Sequence, residues 1–163
     1  MIRPPHGHAG EAHGHGHGDT AAWAAHAAGR LAEAGHRSGG ARTAVIESLA
    51  AQDCCRSAQE IFDQLRGDGR RVGIASVYRV LDLLVGMGLV QRLDLGGGTA
   101  RYEPALPGGE HHHHLVCTGC GEVRPFEDPR LETALEATAH ASDFTVEGHD
   151  VVLRGRCPDC RAA

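Results

Sequence analysis

Residues 111–121 read H-H-H-H-L-V-C-T-G-C-G, and a second cysteine pair follows in R-G-R-C-P-D-C-R at residues 154–161. Each pair has Cys-x-x-Cys spacing, and the neighbouring glycines and proline favour tight turns that direct both sulfurs of a pair at one ion. Tetrahedral zinc takes four such ligands, commonly from two chain segments. The sequence therefore predicts a structural zinc site, with two disulfides or free buried thiols as the alternative, formed by Cys117, Cys120, Cys157 and Cys160.

Composition limits the class of protein. The chain has 163 residues and a net charge of -5, which is too weak for non-specific coating of nucleic acid but permits a small basic surface. It has no apolar run of membrane-spanning length and no apolar N-terminal signal segment, so we expect a soluble cytoplasmic protein with no membrane partner. Cysteines persist as thiols or metal ligands in the reducing cytoplasm, which agrees with the zinc interpretation.

Histidines and glycines dominate residues 1–18. This composition cannot bury a core, and we expect a disordered arm. Its histidines either collect zinc, nickel or copper loosely or belong to a flexible solvated segment. They are His6, His8, His13, His15 and His17.

Residues 19–103 show helical periodicity and then a hairpin pattern. We predict helices that begin at about residue 19, at about residue 41, at Ser57 and near Ser76. The third opens with the capping box S-A-Q-E. Two strands, separated by glycines 96–98, follow the fourth helix. This order predicts a winged helix-turn-helix domain.

The fourth predicted helix carries an apolar stripe, which leaves Ser76, Tyr78 and Arg79 on its other face. A hydroxyl, a phenol and a guanidinium near a helix N-terminus suit base edges and phosphates in a major groove. We predict DNA contacts from these three residues and a contact to the DNA backbone from Arg42 of the second helix. An ordinary amphipathic surface helix is the alternative.

Residues 104–110 contain two prolines and two glycines, and we predict that they form a hinge linker. The sequence pattern after this linker differs from the helical pattern before it. Residues 111–163 predict a small α+β domain, with strands at 113–117 and 122–126, a helix at 131–141 and two short strands within 144–155. The apolar run at 151–153 indicates a strand buried on both faces, as when a sheet pairs across a dimer.

Four motifs occur in a telling order: G-I-A-S-V-Y-R-V-L-D (73–82), G-L-V-Q-R (88–92), the stretch at 111–121, and C-P-D-C (157–160). Together they resemble the ferric-uptake-regulator family of metal-dependent repressors, over about residues 37–160. The resemblance implies an N-terminal winged-helix DNA-binding domain hinged to a C-terminal α+β dimerisation domain. It also implies a homodimer that binds the double-stranded DNA of a palindromic operator.

The resemblance further implies ligand sets, position by position. The four cysteines match the family's structural zinc. An interdomain regulatory site matches Cys55, Glu103, His112 and His114, and a third site matches His111, His113, Glu132 and His149. Because side chains alternate along an extended strand, the even-numbered histidines point one way and the odd-numbered ones the other, so one segment can serve both sites. A solvated poly-histidine loop is the alternative.

Two departures leave the regulatory metal open between zinc and ferrous iron. The resemblance implies that iron-sensing members carry histidine where Cys55 stands, and a thiolate favours zinc. The zinc-sensing pattern places a cysteine after the wing, and residues 104–110 contain none. The adjacent Cys54 takes the place of Cys55 if the alignment is shifted by one residue.

We therefore expect a metal-activated repressor of metal-uptake or metal-homeostasis genes. A metal-buffering or metal-trafficking protein is the alternative, suggested by the 13 histidines, but such a protein has no need of the S-V-Y-R helix and wing. An enzyme, and with it a small organic substrate, is not expected. Each ligand set is full at four, and the chain has no nucleophile motif and no H-E-x-x-H motif.

Overall fold

The computed structural model describes residues 17–106 and 112–162. The predicted arm falls outside these ranges except for its last two residues, and most of the predicted linker and His111 also fall outside them. The first helix, α1, spans His17–Glu33 and begins two residues before the predicted start at about residue 19.

The N-terminal part of the fold has four helices and a small sheet. After α1 come α2 (Gly40–Ala50), β1 (Arg56–Ser57), α3 (Ala58–Gly67), α4 (Ile74–Gly86), β2 (Val90–Leu93) and β3 (Arg101–Pro104). The sheet has the antiparallel order β1-β3-β2. Three consecutive glycines with positive φ, Gly96 to Gly98, make the turn region of the β2–β3 wing.

Local sequence explains why α3 begins where it does. The Ser57 hydroxyl accepts a hydrogen bond from the Glu60 amide at 3.2 Å, and the Glu60 carboxylate accepts one from the Ser57 amide at 2.7 Å. The predicted capping box is therefore confirmed, and it satisfies two donors that the helix end would otherwise leave unpaired.

Apolar stripes from all four helices form one core. Trp23, Leu49, Ile61, Leu81 and Leu84 are fully buried within it. The Trp23 indole donates a 2.9 Å hydrogen bond to the Leu89 carbonyl, so α1 is anchored to the start of the wing. This core holds α4 with its polar face outward.

The C-terminal part contains β4 (His113–Cys117), β5 (Val123–Phe126), α5 (Pro129–Ala141), β6 (Val152–Gly155) and α6 (Pro158–Ala162). Its sheet has the order β5-β4-β6, with β4 antiparallel to β5 and parallel to β6. The fold class is thus confirmed as α+β: a winged helix-turn-helix followed by a small α/β domain that carries a four-cysteine cluster.

The segment between α5 and β6 corrects the sequence reading. We predicted two strands within residues 144–155, but β6 is the only strand that the structure describes there. Phe144 and Val146 have no neighbouring strand within residues 17–106 and 112–162 and are 74% and 50% exposed. The strand expected to be buried on both faces is not buried on both in the single chain, since Leu153 is 50% exposed.

A second apolar cluster joins the two parts of the molecule. Cys55, Leu93 and Leu95 are buried at its centre, and the side chains that pack against them from the C-terminal sheet are Val116, Val123 and Val152. The wing and the loop before β1 therefore lie against one face of that sheet. None of the helices within residues 17–106 and 112–162 has the length and apolarity that crossing a bilayer requires.

Candidate metal centres and DNA-binding surface

The four-cysteine cluster is assembled from two segments that β4 and β6 bring together. Cys117 ends β4 and Cys120 lies in the turn that follows, while Cys157 follows β6 and Cys160 lies in α6. Their sulfurs all lie within 4.8 Å of one another, and the Cys120 and Cys157 sulfurs are 3.8 Å apart. Every one of the six cysteines is a free thiol.

Backbone amides prepare this cluster for thiolates. The Cys157 amide donates to the Cys117 sulfur at 3.3 Å and the Gly119 amide at 3.4 Å. Hydrogen bonds from the backbone amides of Cys157 and Cys120 are the main cause that lowers the pKa of Cys117 to about 6. A Cβ at Gly119 would lie 2.9 Å from the Cys160 sulfur, so only glycine leaves room here. The donor set and its cradle fit a zinc ion.

A second cluster lies at the start of β4, the end opposite to Cys117. His113 is 1% exposed, and its Nε2 is 2.6 Å from Oε1 of Glu132 in the first turn of α5. Oε2 of the same carboxylate is 2.9 Å from Nε2 of His149. Donor atoms of the three side chains lie within 4.8 Å of one another. The fourth predicted member of this set, His111, lies outside the described residues.

A third cluster links the wing to β4. Oε2 of Glu103, on β3, is 3.1 Å from Nε2 of His112 and 3.2 Å from Nε2 of His114. His112 and His114 thus face the wing while His113 faces α5, as strand alternation requires. Burial opposes ionisation of Glu103, but hydrogen bonds from the two histidines outweigh it and lower the pKa of this carboxyl to about 2.

The histidines respond to the same contacts. Burial of His114 favours its neutral form, but hydrogen bonding to Cys55 and to Glu103 outweighs burial and raises the pKa of His114 to about 9. The pKa of His112 is also raised, because its hydrogen bond to Glu103 outweighs burial. Two imidazoles, whose protons a cation can replace, and an ionised carboxylate are a suitable donor set for a divalent metal.

The predicted regulatory set is divided differently from the expectation. The structure forms two overlapping groups that share His114, and each has its donor atoms within 4.8 Å: Glu103 with His112 and His114, and Cys54 with Cys55 and His114. Our predicted set contained Cys55 but treated Cys54 only as its substitute. The adjacent pair of cysteines was the signal in the sequence that both thiols can reach one site.

The polar face of α4 carries the predicted DNA contacts. Tyr78 is 47% exposed and Arg79 is exposed beside it, with its guanidinium donating to the Ser76 hydroxyl at 3.0 Å. Ser76 and Arg79 line a shallow groove together with Arg42, from the first turn of α2, and Arg37, from the loop before that helix. The Arg42 guanidinium donates to the Arg37 carbonyl. This groove is a compact basic surface on a protein of negative net charge.

A winged helix with a basic groove, joined to a sheet through metal-ligating side chains, defines a metal-responsive DNA-binding regulator. The chain belongs to the Ferric uptake regulator family, whose sequence profile matches residues 33–154. It is accordingly a metal-responsive transcriptional regulator and not an enzyme. Members of this family bind DNA operators, typically as dimers.

Individual relatives agree with this assignment. The Ferric uptake regulation protein of Legionella pneumophila is 40% identical over 105 residues, which are 64% of this chain and 76% of that protein. That of Neisseria meningitidis is 36% identical over 106 residues, 65% of this chain and 72% of that protein. The crystal structure of the Vibrio cholerae ferric uptake regulator is similar with a TM-score of 0.70 at 34% identity, covering 78% of this chain and 96% of that chain.

Proposed function

We propose that this protein is a homodimeric, cytoplasmic repressor of metal-uptake or metal-homeostasis genes. It binds a palindromic operator when zinc or ferrous iron occupies an interdomain site formed by Cys55, Glu103, His112 and His114. One observation carries the proposal: the carboxylate of Glu103, which belongs to the wing, lies within 3.2 Å of two histidines of the other domain.

The position of these ligands supports a switch. Glu103 moves with the wing, whereas His112 and His114 move with the C-terminal sheet, so a cation that needs all of them selects one arrangement of the domains. When bound, the metal supplies a divalent positive charge and fixed coordination directions in place of the histidine protons. A coupling of only about 1.4 kcal/mol between metal and DNA binding changes operator affinity tenfold.

The DNA-binding role is assigned to the polar face of α4 and the adjacent groove. Tyr78, Arg79 and Ser76 enter the major groove, and Arg42 contacts the phosphate backbone from the start of α2. The exposure of Tyr78 supports this assignment. In the free protein 47% of its side chain is accessible to water, and contact with the base edges would bury that apolar ring surface.

The two remaining clusters are proposed as a structural zinc site and a third metal site. Zinc on Cys117, Cys120, Cys157 and Cys160 ties β4 to α6. A second ion on His113, Glu132 and His149, with His111, ties β4 to α5.

Exposed apolar side chains support the homodimer: Leu115 and Leu153 pair in register on β4 and β6 and are 42% and 50% exposed on one sheet face. A partner sheet would cover them.

Operator binding titrated against metal tests the proposal. In wild-type protein, zinc or ferrous iron should increase affinity for a selected palindromic operator. The His112→Ala variant should lose this response while keeping its four-cysteine zinc and its dimer, whereas His140→Ala, at an exposed position of α5, should respond normally. An equal metal response in His112→Ala and wild type would refute the role of the interdomain site.

A further inference from the structure

The loop before β1 places two thiols side by side at the domain boundary. The sulfurs of Cys54 and Cys55 are 3.9 Å apart, and both lie within 4.8 Å of a ring nitrogen of His114. Cys55 is 3% exposed and belongs to the apolar interdomain cluster, while Cys54 is half-buried at its edge. Two sulfurs and an imidazole therefore converge from different domains in a largely water-free setting.

Strand pairing explains why the thiols and the wing carboxylate reach the same histidine. Arg56, next to Cys55, pairs with Tyr102, next to Glu103. The Arg101 guanidinium fixes the thiol loop further, since it donates to the Cys55 carbonyl at 3.2 Å and pairs with Glu60 at 3.1 Å. The loop and β3 are thus held side by side, and each presents ligands to His114.

The two groups differ in chemical softness. Glu103, His112 and His114 offer a carboxylate and two imidazoles, which suit ferrous iron and manganese as well as zinc. Cys54 and Cys55 add two thiolates to one imidazole, a set that favours thiophilic cations. Both groups need the imidazole of His114 in a particular orientation, so only one of them can bind an ion at a time.

We propose that Cys54, Cys55 and His114 form a second, thiolate-rich metal site at the domain boundary, which binds zinc in competition with the carboxylate–histidine group of Glu103, His112 and His114. A metal bound by the thiolate group ties the loop before β1 to β4, whereas a metal bound by the carboxylate–histidine group ties the wing strand β3 to β4. This inference rests on the proposed metal-dependent regulation and refines it. Cys55 belongs to the thiolate group, the carboxylate–histidine group holds its metal without Cys55, and the protein distinguishes metals by the ligand group they use.

Cobalt(II) is the probe, because thiolate ligands give it an intense near-ultraviolet charge-transfer absorption that carboxylates and imidazoles do not. Protein whose four-cysteine site already holds zinc is titrated with cobalt. The His113–Glu132–His149 cluster has no sulfur and is silent in this band. A Cys54→Ser/Cys55→Ser double variant keeps the four-cysteine site, so its spectrum is the baseline for any cobalt exchanged there.

The expected result is a charge-transfer band above that baseline in wild type and in Glu103→Gln, reduced to about half in Cys54→Ser because one of two thiolate ligands is lost. In parallel, zinc should protect Cys54 from alkylation in wild type and in Glu103→Gln but not in His114→Ala. Circular dichroism of each variant establishes that the fold is retained.

Two outcomes would overturn the inference: a double-variant spectrum equal to that of wild type, or a Cys54→Ser band of full wild-type intensity. Operator titrations on the same proteins separate this failure from failure of the proposed function. If the thiol band is absent while manganese still promotes operator binding, the regulatory proposal stands and the second site does not. If the band is present but no metal promotes operator binding, the second site stands and the regulatory proposal fails.

Discussion

Metal binding at the interdomain site should depend steeply on pH, and the structure sets the scale. The pKa of His114 is raised to about 9, so in the metal-free protein this imidazole is protonated at neutral pH. A metal ion needs the neutral ring and must displace the proton, which weakens apparent affinity about tenfold, or about 1.4 kcal/mol, for each pH unit below the pKa. Between pH 8 and pH 6, His114 alone should therefore weaken metal binding about a hundredfold.

His112 should steepen this dependence, because its pKa is raised as well. The assay is calorimetric titration of zinc at pH 6, 7 and 8 into protein whose four-cysteine site is already filled. It is done in a His149→Ala background that disables the neighbouring histidine cluster. Repeating each titration in two buffers of different ionisation enthalpy counts the protons released. An affinity that changes less than tenfold between pH 8 and pH 6, or binding without proton release at pH 7, would refute the reasoning.

The same groups set the pH range in which the metal-free boundary is most stable. The pKa of His114 rises from 6.5 to about 9, so its contribution is complete below about pH 6.5 and is lost as pH rises through 9. The pKa of Glu103 falls from 4.5 to about 2, so its contribution is complete above about pH 4.5 and is lost as pH falls through 2. Denaturant unfolding of protein that holds zinc only at the four-cysteine site should show the largest contribution of this pair between about pH 4.5 and pH 6.5, and Glu103→Gln should remove it.

Three further predictions concern the other surfaces. Gly119→Ala places a Cβ 2.9 Å from the Cys160 sulfur and should reduce zinc retention and the melting temperature, whereas Gly155→Ala, with open space around it, should not. Replacing any one of the four clustered cysteines by serine should release zinc and unfold or monomerise the protein, because such a site contributes on the order of 10 kcal/mol. Zinc analysis and sedimentation check this. A stable zinc-loaded dimer would contradict it. Arg79→Ala should cost about 1–3 kcal/mol of operator affinity in gel-shift titrations if it contacts a base, while Arg130→Ala, 92% exposed on α5, should cost nothing.

Local sequence signals predicted much of the fold because they act over a few residues. The capping box fixed the start of α3 at Ser57, and helical periodicity found α4 with Tyr78 outward. Elements that depend on distant partners were harder to predict. β1 is only two residues long and exists because it pairs with β3, and α6 was hidden inside a motif that we interpreted only as metal ligands.

The failed strand at residues 144–150 has the same cause. Alternating Phe144 and Val146 favour a strand, but a strand needs a neighbour to satisfy its backbone, and this segment has none within residues 17–106 and 112–162. Periodicity reports that a face is apolar and says nothing about what covers it. In a chain that we propose to be a homodimer, a pattern that looks wrong in one copy is a reasonable place to look for the other copy.

The ligands of the interdomain site could be predicted from the sequence only where they depend on the geometry of one strand. Alternation along β4 was enough to separate His112 and His114 from His113, since it follows from strand geometry alone. It could not show that β1 and β3 lie side by side, which brings both Cys54 and Glu103 to His114. Matching ligands by position therefore gave one set of four, and the structure arranges these residues with Cys54 as two overlapping groups around His114. If one imidazole has to serve both groups, the metal preference of this regulator is determined by competition for His114, and no ligand considered singly determines it.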